Sequence, residues 1–172
     1  GINANISRDE SVEDNFSWAI QACSTLRGKI GVHYALFDEE MNKKQIRQAT
    51  LMDDFDAAIF GDQFKVYYQP KFDIRGDEPK LTSAEALVRW EHPTLGMISP
   101  GEFIPLFEEH GLIRRLDRYV WTEVGRQIKE WYDKFGVYLS VSVNVSRMDM
   151  YDSDLTAYLS DIVMDNDIPD AK

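Results

Sequence analysis

The chain has 172 residues, of which 44% are apolar and 12% aromatic, enough to bury a sizeable core and too much for a disordered polypeptide. A formal net charge of −11 argues against a broad nucleic-acid surface, yet it is compatible with a nucleotide ligand where a divalent cation reverses the local field. No apolar run reaches the roughly 18 residues that cross a bilayer, the first five residues lack a signal peptide's basic and apolar regions, and Cys23 stands alone; the expectation is a cytoplasmic chain without an intrachain disulfide.

The first stretch runs to about residue 41. Asp14 or Asn15 can cap a helix from Phe16 to Leu26, closed by Gly28, and Ile30 to Phe37 alternates well enough for a strand. Glu40 to Phe60 has few breakers and reads as a polar linker helix ending at Gly61. A strand follows from Phe64 to Ile74, then turn chemistry at Arg75-Gly76-Asp77-Glu78-Pro79, then a second strand from Leu81 to Trp90. So short a connection predicts an antiparallel hairpin. Pairing Ile74 with Lys80 places Gln69 opposite Glu85 and Tyr67 opposite Leu87, within a residue or two.

Ser99-Pro100-Gly101-Glu102 has the form of a capping box and opens a helix that Gly111 closes after His110. The next helix carries Leu116, Val120, Val124, Ile128 and Trp131 at core spacing and ends at Gly136. Tyr138 to Val145 reads as a third strand, and Leu155, Leu159, Ile162 and Val163 as a last helix ending near Asn166. Strand, helix pair, strand, helix is β/α grammar, so the second and third strands are expected to be parallel.

Alternation puts Glu85, Leu87 and Arg89 on one face of the second strand, Tyr67, Gln69 and Lys71 on one face of the first, and Ser142, Asn144 and Ser146 on one face of the third. A buried Glu85 needs a partner: Arg89, a helix arginine, or an ion. Asn144 can equally satisfy a loop backbone. A carboxylate and an amide oxygen are hard ligands suited to Mg²⁺ or Mn²⁺, Arg89 forms a fork for phosphate, and Gln69 can meet a base or a phosphate. Metal-assisted phosphodiester chemistry fits this set. His33, His92 and His110 have no paired spacing for zinc.

These residues also carry a family likeness. Tyr68-Gln69-Pro70-Lys71, Ala84-Glu85-Ala86-Leu87-Val88-Arg89-Trp90, His92-Pro93, Leu95-Gly96, Pro100-Gly101-Glu102-Phe103-Ile104-Pro105, Glu109-His110-Gly111-Leu112-Ile113 and Ser142-Val143-Asn144-Val145-Ser146, in that order, resemble the opening of EAL phosphodiesterase domains. The resemblance implies an α/β fold, a TIM-like (β/α) barrel with an antiparallel first strand, present in part. It implies cyclic di-GMP as ligand, two Mg²⁺ or Mn²⁺ ions, hydrolysis to the linear dinucleotide, and a possible homodimer, with no DNA, RNA or membrane partner. By the same likeness Glu85 and Asn144 match metal ligands, while Gln69, Leu87 and Arg89 match ligand-contacting positions, Arg89 at the phosphate.

Ala19-Ile20-Gln21-Ala22 and the run from Gly28 to Met41 resemble the tail of a GGDEF domain without its signature. The implied organisation is a GGDEF-like remnant over 1–41, a linker helix over 42–61 and the first part of an EAL domain over 62–172. The family's later acidic, lysine and glutamine motifs do not occur in the chain, so it is expected to be inactive alone. For the whole protein the alternatives are an active phosphodiesterase and a non-catalytic cyclic di-GMP sensor or interaction module.

Overall fold

In the computed structural model, which describes residues 1–4, 11–28 and 30–169, the first helix begins earlier than its sequence suggests. Ser11 caps α1 (Val12–Ser24) by accepting from the Asp14 N–H at 3.0 Å, and its hydroxyl donates back to the Asp14 carboxylate at 2.7 Å. The reciprocal bonds make Ser11 the better cap than Asp14 or Asn15.

The chain divides into two compact units, one ending at Asp53 and one beginning at Asp54. In the first, α1 lies beside α2 (Glu39–Asp53), and Gln21 Nε2 donates to the Met41 carbonyl at 2.9 Å. Trp18 stacks on Phe37 with ring centroids 5.2 Å apart. The strand expected over 30–37 does not form. One parallel bridge, Ile2 to Leu36, is what remains, and Ile30, Val32, Tyr34 and Leu36 are exposed. β-branched content favours a strand only where a neighbouring strand supplies partners for its backbone.

The helix expected over 40–60 is two helices, because Asp54 interrupts it before α3 (Phe55–Phe60). Asp54 has a ψ of −6°, and its carboxylate is taken by His92 Nε2 at 2.9 Å. Two backbone amides, Thr94 and Leu95, donate to His92 Nδ1 at 3.2 and 3.1 Å, which leaves Nε2 to carry the ring proton toward Asp54. A long-range contact therefore overrides a helical run.

In the second unit β1 (Phe64–Asp73) and β2 (Lys80–His92) form the expected antiparallel hairpin. Gln69 faces Glu85 and Tyr67 faces Leu87, as the turn predicted. The register slips by one between Lys71 and Phe72, so Lys80 meets Asp73 rather than Ile74. β2 continues past Trp90 and turns back through β3 (Gly96–Ile98), a strand the sequence did not announce.

Ser99 stands at the N-cap of α4 (Pro100–His110), but its side chain makes no capping bond; its carbonyl accepts from the Glu102 N–H at 2.9 Å instead. Gly111 and Gly136 end α4 and α5 (Ile113–Phe135) at φ of 74° and 69°, left-handed values that favour glycine. β4 is shorter than expected, Ser140–Ser142, and it pairs parallel with β2 at Ser83, Ala84 and Glu85. A 3-10 turn (Asp149–Tyr151) leads to α6 (Leu155–Asp165), capped at Asn166 as expected. The chain end at 170–172 lies outside the described residues.

The core lies on one side of this sheet. Ala84, Ala86, Trp90 and His92 alternate toward it and are buried, with Phe64 beside them. Phe55, Phe64, Trp90, Phe103 and Phe107 form a closed aromatic cluster, with the Phe64–Trp90 and Phe55–Phe107 centroids each 4.9 Å apart. Leu116, Val120, Val124 and Ile128 of α5 are buried as their spacing predicted, and Trp131 meets the edge of Tyr68 at 4.8 Å.

Candidate functional site

Because Ala84, Ala86 and Trp90 face the helices, the intervening residues of β2 face the other way. That open face carries Ser83, Glu85, Leu87, Arg89 and Glu91, with Lys65, Tyr67, Gln69 and Lys71 opposite on β1. The hairpin thus brings together four of the five candidate residues: Gln69, Glu85, Leu87 and Arg89. The face is more open than its sequence suggested. Gln69 is exposed, and Leu87 and Arg89 are half-buried.

Glu85 has 36% of its side chain exposed, and its partner is neither Arg89 nor a helix arginine. Lys71 Nζ lies 3.1 Å from Glu85 Oε2 and donates to Ser142 Oγ, also at 3.1 Å. The Ser142 hydroxyl in turn donates to the Ala84 carbonyl at 3.3 Å. Lys71 therefore ties β1, β2 and β4 together on the open face. Reading Lys71 on the same face as Gln69 contained the signal for this contact; only the diagonal reach to Glu85 was missed.

Arg89 folds along its own strand. Nη1 donates to the Val88 carbonyl at 2.8 Å, and the guanidinium sits 5.9 Å from the Tyr67 ring centroid. The Tyr67 hydroxyl donates to Glu91 at 3.3 Å. Asn144 is exposed and lies two residues beyond Ser142, where the pairing with β2 has ended. Its carbonyl accepts from Trp121 Nε1 at 3.0 Å, so the backbone of this loop is fixed from α5.

A divalent cation would find a carboxylate oxygen at Glu85 and an amide oxygen at Asn144, both of the hard type that Mg²⁺ and Mn²⁺ prefer. Among the described residues no group of three acidic, histidine or cysteine side chains converges anywhere, so the two fit as part of a ligand shell and not as the whole of one. The residues that sequence reasoning missed lie behind the loop. Asp117 of α5 and Asp149 of the 3-10 turn bring two carboxyl groups together, and Asp117 is pushed up to about 8, first by burial and then by Asp149. No spacing in the sequence links these two positions.

An EAL domain model matches residues 52–172. The chain belongs to the EAL domain family. It is 37% identical over 132 residues to the cyclic di-GMP phosphodiesterase PdeR of Escherichia coli, covering 77% of this chain and 19% of that protein. Among solved structures it is similar to the PaMucR phosphodiesterase in complex with c-di-GMP, at 31% identity and a TM-score of 0.62, over 69% of this chain and 47% of that one. The FimX EAL domain of Xanthomonas citri, solved with c-di-GMP, superposes with a TM-score of 0.63 at 23% identity, over 74% and 48% of the two chains, and supports the fold alone. The EAL chain described here spans about a fifth of PdeR and about half of each of these solved chains. Among its described residues no helix is long and apolar enough to cross a membrane.

Proposed function

We propose that this chain supplies the first part of an EAL barrel that binds cyclic di-GMP and hydrolyses it to the linear dinucleotide. The observation that carries the reading is the single open face shared by Gln69, Glu85, Leu87 and Arg89, with Asn144 just past the end of the adjoining parallel strand. The sheet order fits a partial (β/α) barrel with an antiparallel first strand: β1 runs against β2, and β2 runs with β4. On this reading residues 62–172 are the first part of the EAL domain, 42–61 the linker helix and 1–41 a GGDEF-like remnant.

Each residue has work that follows from its place. Glu85 and Asn144 would hold Mg²⁺ or Mn²⁺ by one oxygen each. When bound, such ions lower the pKa of a coordinated water and offset charge on the attacked phosphate. Lys71 engages Oε2 of that carboxylate and would compete with a cation for it. Arg89, bonded through Nη1 to the Val88 carbonyl, would offer a phosphate oxygen the rest of its fork. Leu87, half-buried between Glu85 and Arg89, offers an apolar surface to a guanine or ribose, and Gln69 offers both a donor and an acceptor.

The experiment is cyclic di-GMP turnover with Mn²⁺ by the polypeptide that carries the complete EAL domain, wild type beside Glu85→Ala. Turnover in the wild type that is lost in the variant is the expected result. Binding without turnover in a folded wild type would instead make the domain a sensor.

A further inference from the structure

The loop after β4 stands on two buried carboxyl groups. Asp149 is 1% exposed. Its Oδ2 accepts from the Ser146 N–H at 3.1 Å and from the Ser146 hydroxyl, while its own N–H donates back to Ser146 Oγ at 3.3 Å. The Asp117 carboxyl comes to Asp149 from α5. Asp117 Oδ2 and Asp149 Oδ1 are both buried without a hydrogen-bond donor. Two carboxylates in contact and away from water cannot both be ionised; one proton held between them removes the repulsion.

The surrounding charges do not offer another solution. Arg114 and Arg118, flanking Asp117 on α5, both turn their guanidinium groups to Asp152. From α4, Glu108 lines the same cavity of about 190 Å³ as Asp117, Asn144 and Ser146, and adds negative charge. A protonated Asp117 is therefore the neutral donor that the Asp149 carboxylate lacks.

The geometry also connects this pair to Asn144. Asp117 and Trp121 are one helical turn apart on α5 and share a face. Trp121 Nε1 holds the Asn144 carbonyl, and Asp149 holds Ser146 two residues later, with the Asp117 carboxyl also facing the Ser146 N–H and hydroxyl. Pairing with β2 has already stopped at Ser142, so these two anchors set the course of the loop.

We infer that Asp117 and Asp149 are positioning residues that clamp the Ser146 end of the loop and present Asn144 beside the face that carries Glu85. The inference rests on the reading of Asn144 as a metal ligand.

The test uses NMR of the 172-residue chain, following exchange of the Ser146 amide, the Trp121 indole N–H signal, and broadening of the Asn144 side-chain amide by millimolar Mn²⁺. Asp149→Ala removes the Oδ2 acceptor from the Ser146 amide; that amide is expected to exchange about tenfold faster, the equivalent of one hydrogen bond, and the Trp121 signal to move. Asp117→Asn keeps a neutral donor in place and is expected to retain wild-type protection at pH 6 and to hold it above pH 8, where the wild type loses it. If Asp149→Ala fails to fold, Ser146→Ala removes the two bonds that the Ser146 hydroxyl makes with Asp149 and is expected to loosen the loop alone. Unchanged Ser146 and Trp121 signals in the variant that folds would overturn the clamp, even with Asn144 broadened. An ordered wild-type loop whose Asn144 is not broadened would instead overturn the ligand role, and the positioning role with it.

Discussion

Lys71 Nζ sits 3.1 Å from the Glu85 carboxylate, reaching diagonally from β1 to β2 across the open face of the sheet. The lysine occupies one of the two carboxylate oxygens, Oε2, and on the proposed reading competes there with a cation. Both side chains are more than a third exposed, so the contact contributes little to stability, at most about 1 kcal/mol. Lys71→Met is expected to leave the urea midpoint almost unchanged. The same substitution removes a competing positive charge, worth about 1 kcal/mol at this separation in water, and should tighten Mn²⁺ about fivefold. Isothermal titration with Mn²⁺ checks this, and weaker binding in the variant would show that Lys71 assists the cation.

The aromatic cluster behind the hairpin sets the face in place. Phe64 begins β1, is 1% exposed, and touches Phe55, Trp90, Phe103, Phe107 and Tyr119. Its removal leaves a cavity that rings on α3, α4, α5 and β2 border together. Phe64→Ala is expected to cost about 3–5 kcal/mol in chemical denaturation. A cost below about 1 kcal/mol would mean that the cluster collapses to fill the space.

The α5–α6 contact depends on a missing side chain. A Cβ on Gly125 would stand 2.5 Å from Ile162 Cγ2 and 3.0 Å from Asn166 Nδ2. The Ile162 and Asn166 side chains, or α6 with them, must shift to admit it, and α6 buries no residue fully that could resist the movement. Gly125→Ala is expected to destabilise the chain by about 1–3 kcal/mol in spite of alanine's better helix propensity. A thermal melt at or above the wild-type Tm would show that α6 shifts freely.

Particular residues show what the sequence could carry. The hairpin register was legible because a short turn and alternation leave little freedom, and Gln69 does face Glu85. The slip at Lys71 and Phe72 was not, since a bulge leaves no mark on an alternating pattern. The α5 stripe was legible for the same reason of periodicity. The break at Asp54 depends on His92, and the Asp117–Asp149 contact depends on how a loop folds back on a helix. Ile30 to Phe37 had the right composition for a strand, yet among the described residues it makes a single bridge, Leu36 to Ile2. Four candidate site residues were placed by strand alternation, while Asn144 lies where the ladder has ended and depends on Trp121 instead.

The His92 ring gives a test of the junction between α3 and the sheet. The side chain is 5% exposed, and its Nε2–H has the Asp54 carboxylate as acceptor. Asp54→Ala leaves that donor buried and unpaired, at a cost of about 1–3 kcal/mol. Asp54→Asn keeps an acceptor and is expected to recover most of the loss. Equal destabilisation by the two variants would mean that the carboxylate's charge, not its hydrogen bond, holds α3 to β2.

Stability should also report the shared proton at Asp117. An ordinary aspartate titrates near 3.8, whereas burial first, then Asp149, push Asp117 up to about 8 in the folded chain. The folded state therefore keeps a proton that the unfolded state releases between those values. Where the folded state binds more protons, stability falls as pH rises. The contribution is complete below about pH 4, declines through the interval and is gone above about pH 8. Asp152 acts in the opposite direction: its carboxylate is held below the usual range, first by the Asp154 backbone N–H and then by Arg114. Its contribution is lost as pH falls below about 4, outside most of the Asp117 window. Urea midpoints of the wild type are accordingly expected to fall from pH 5 to pH 8, and those of Asp117→Asn, which has no proton to lose, to stay flatter over the same range. Parallel curves for the two proteins would place the pH dependence elsewhere and leave Asp117 ionised in the fold.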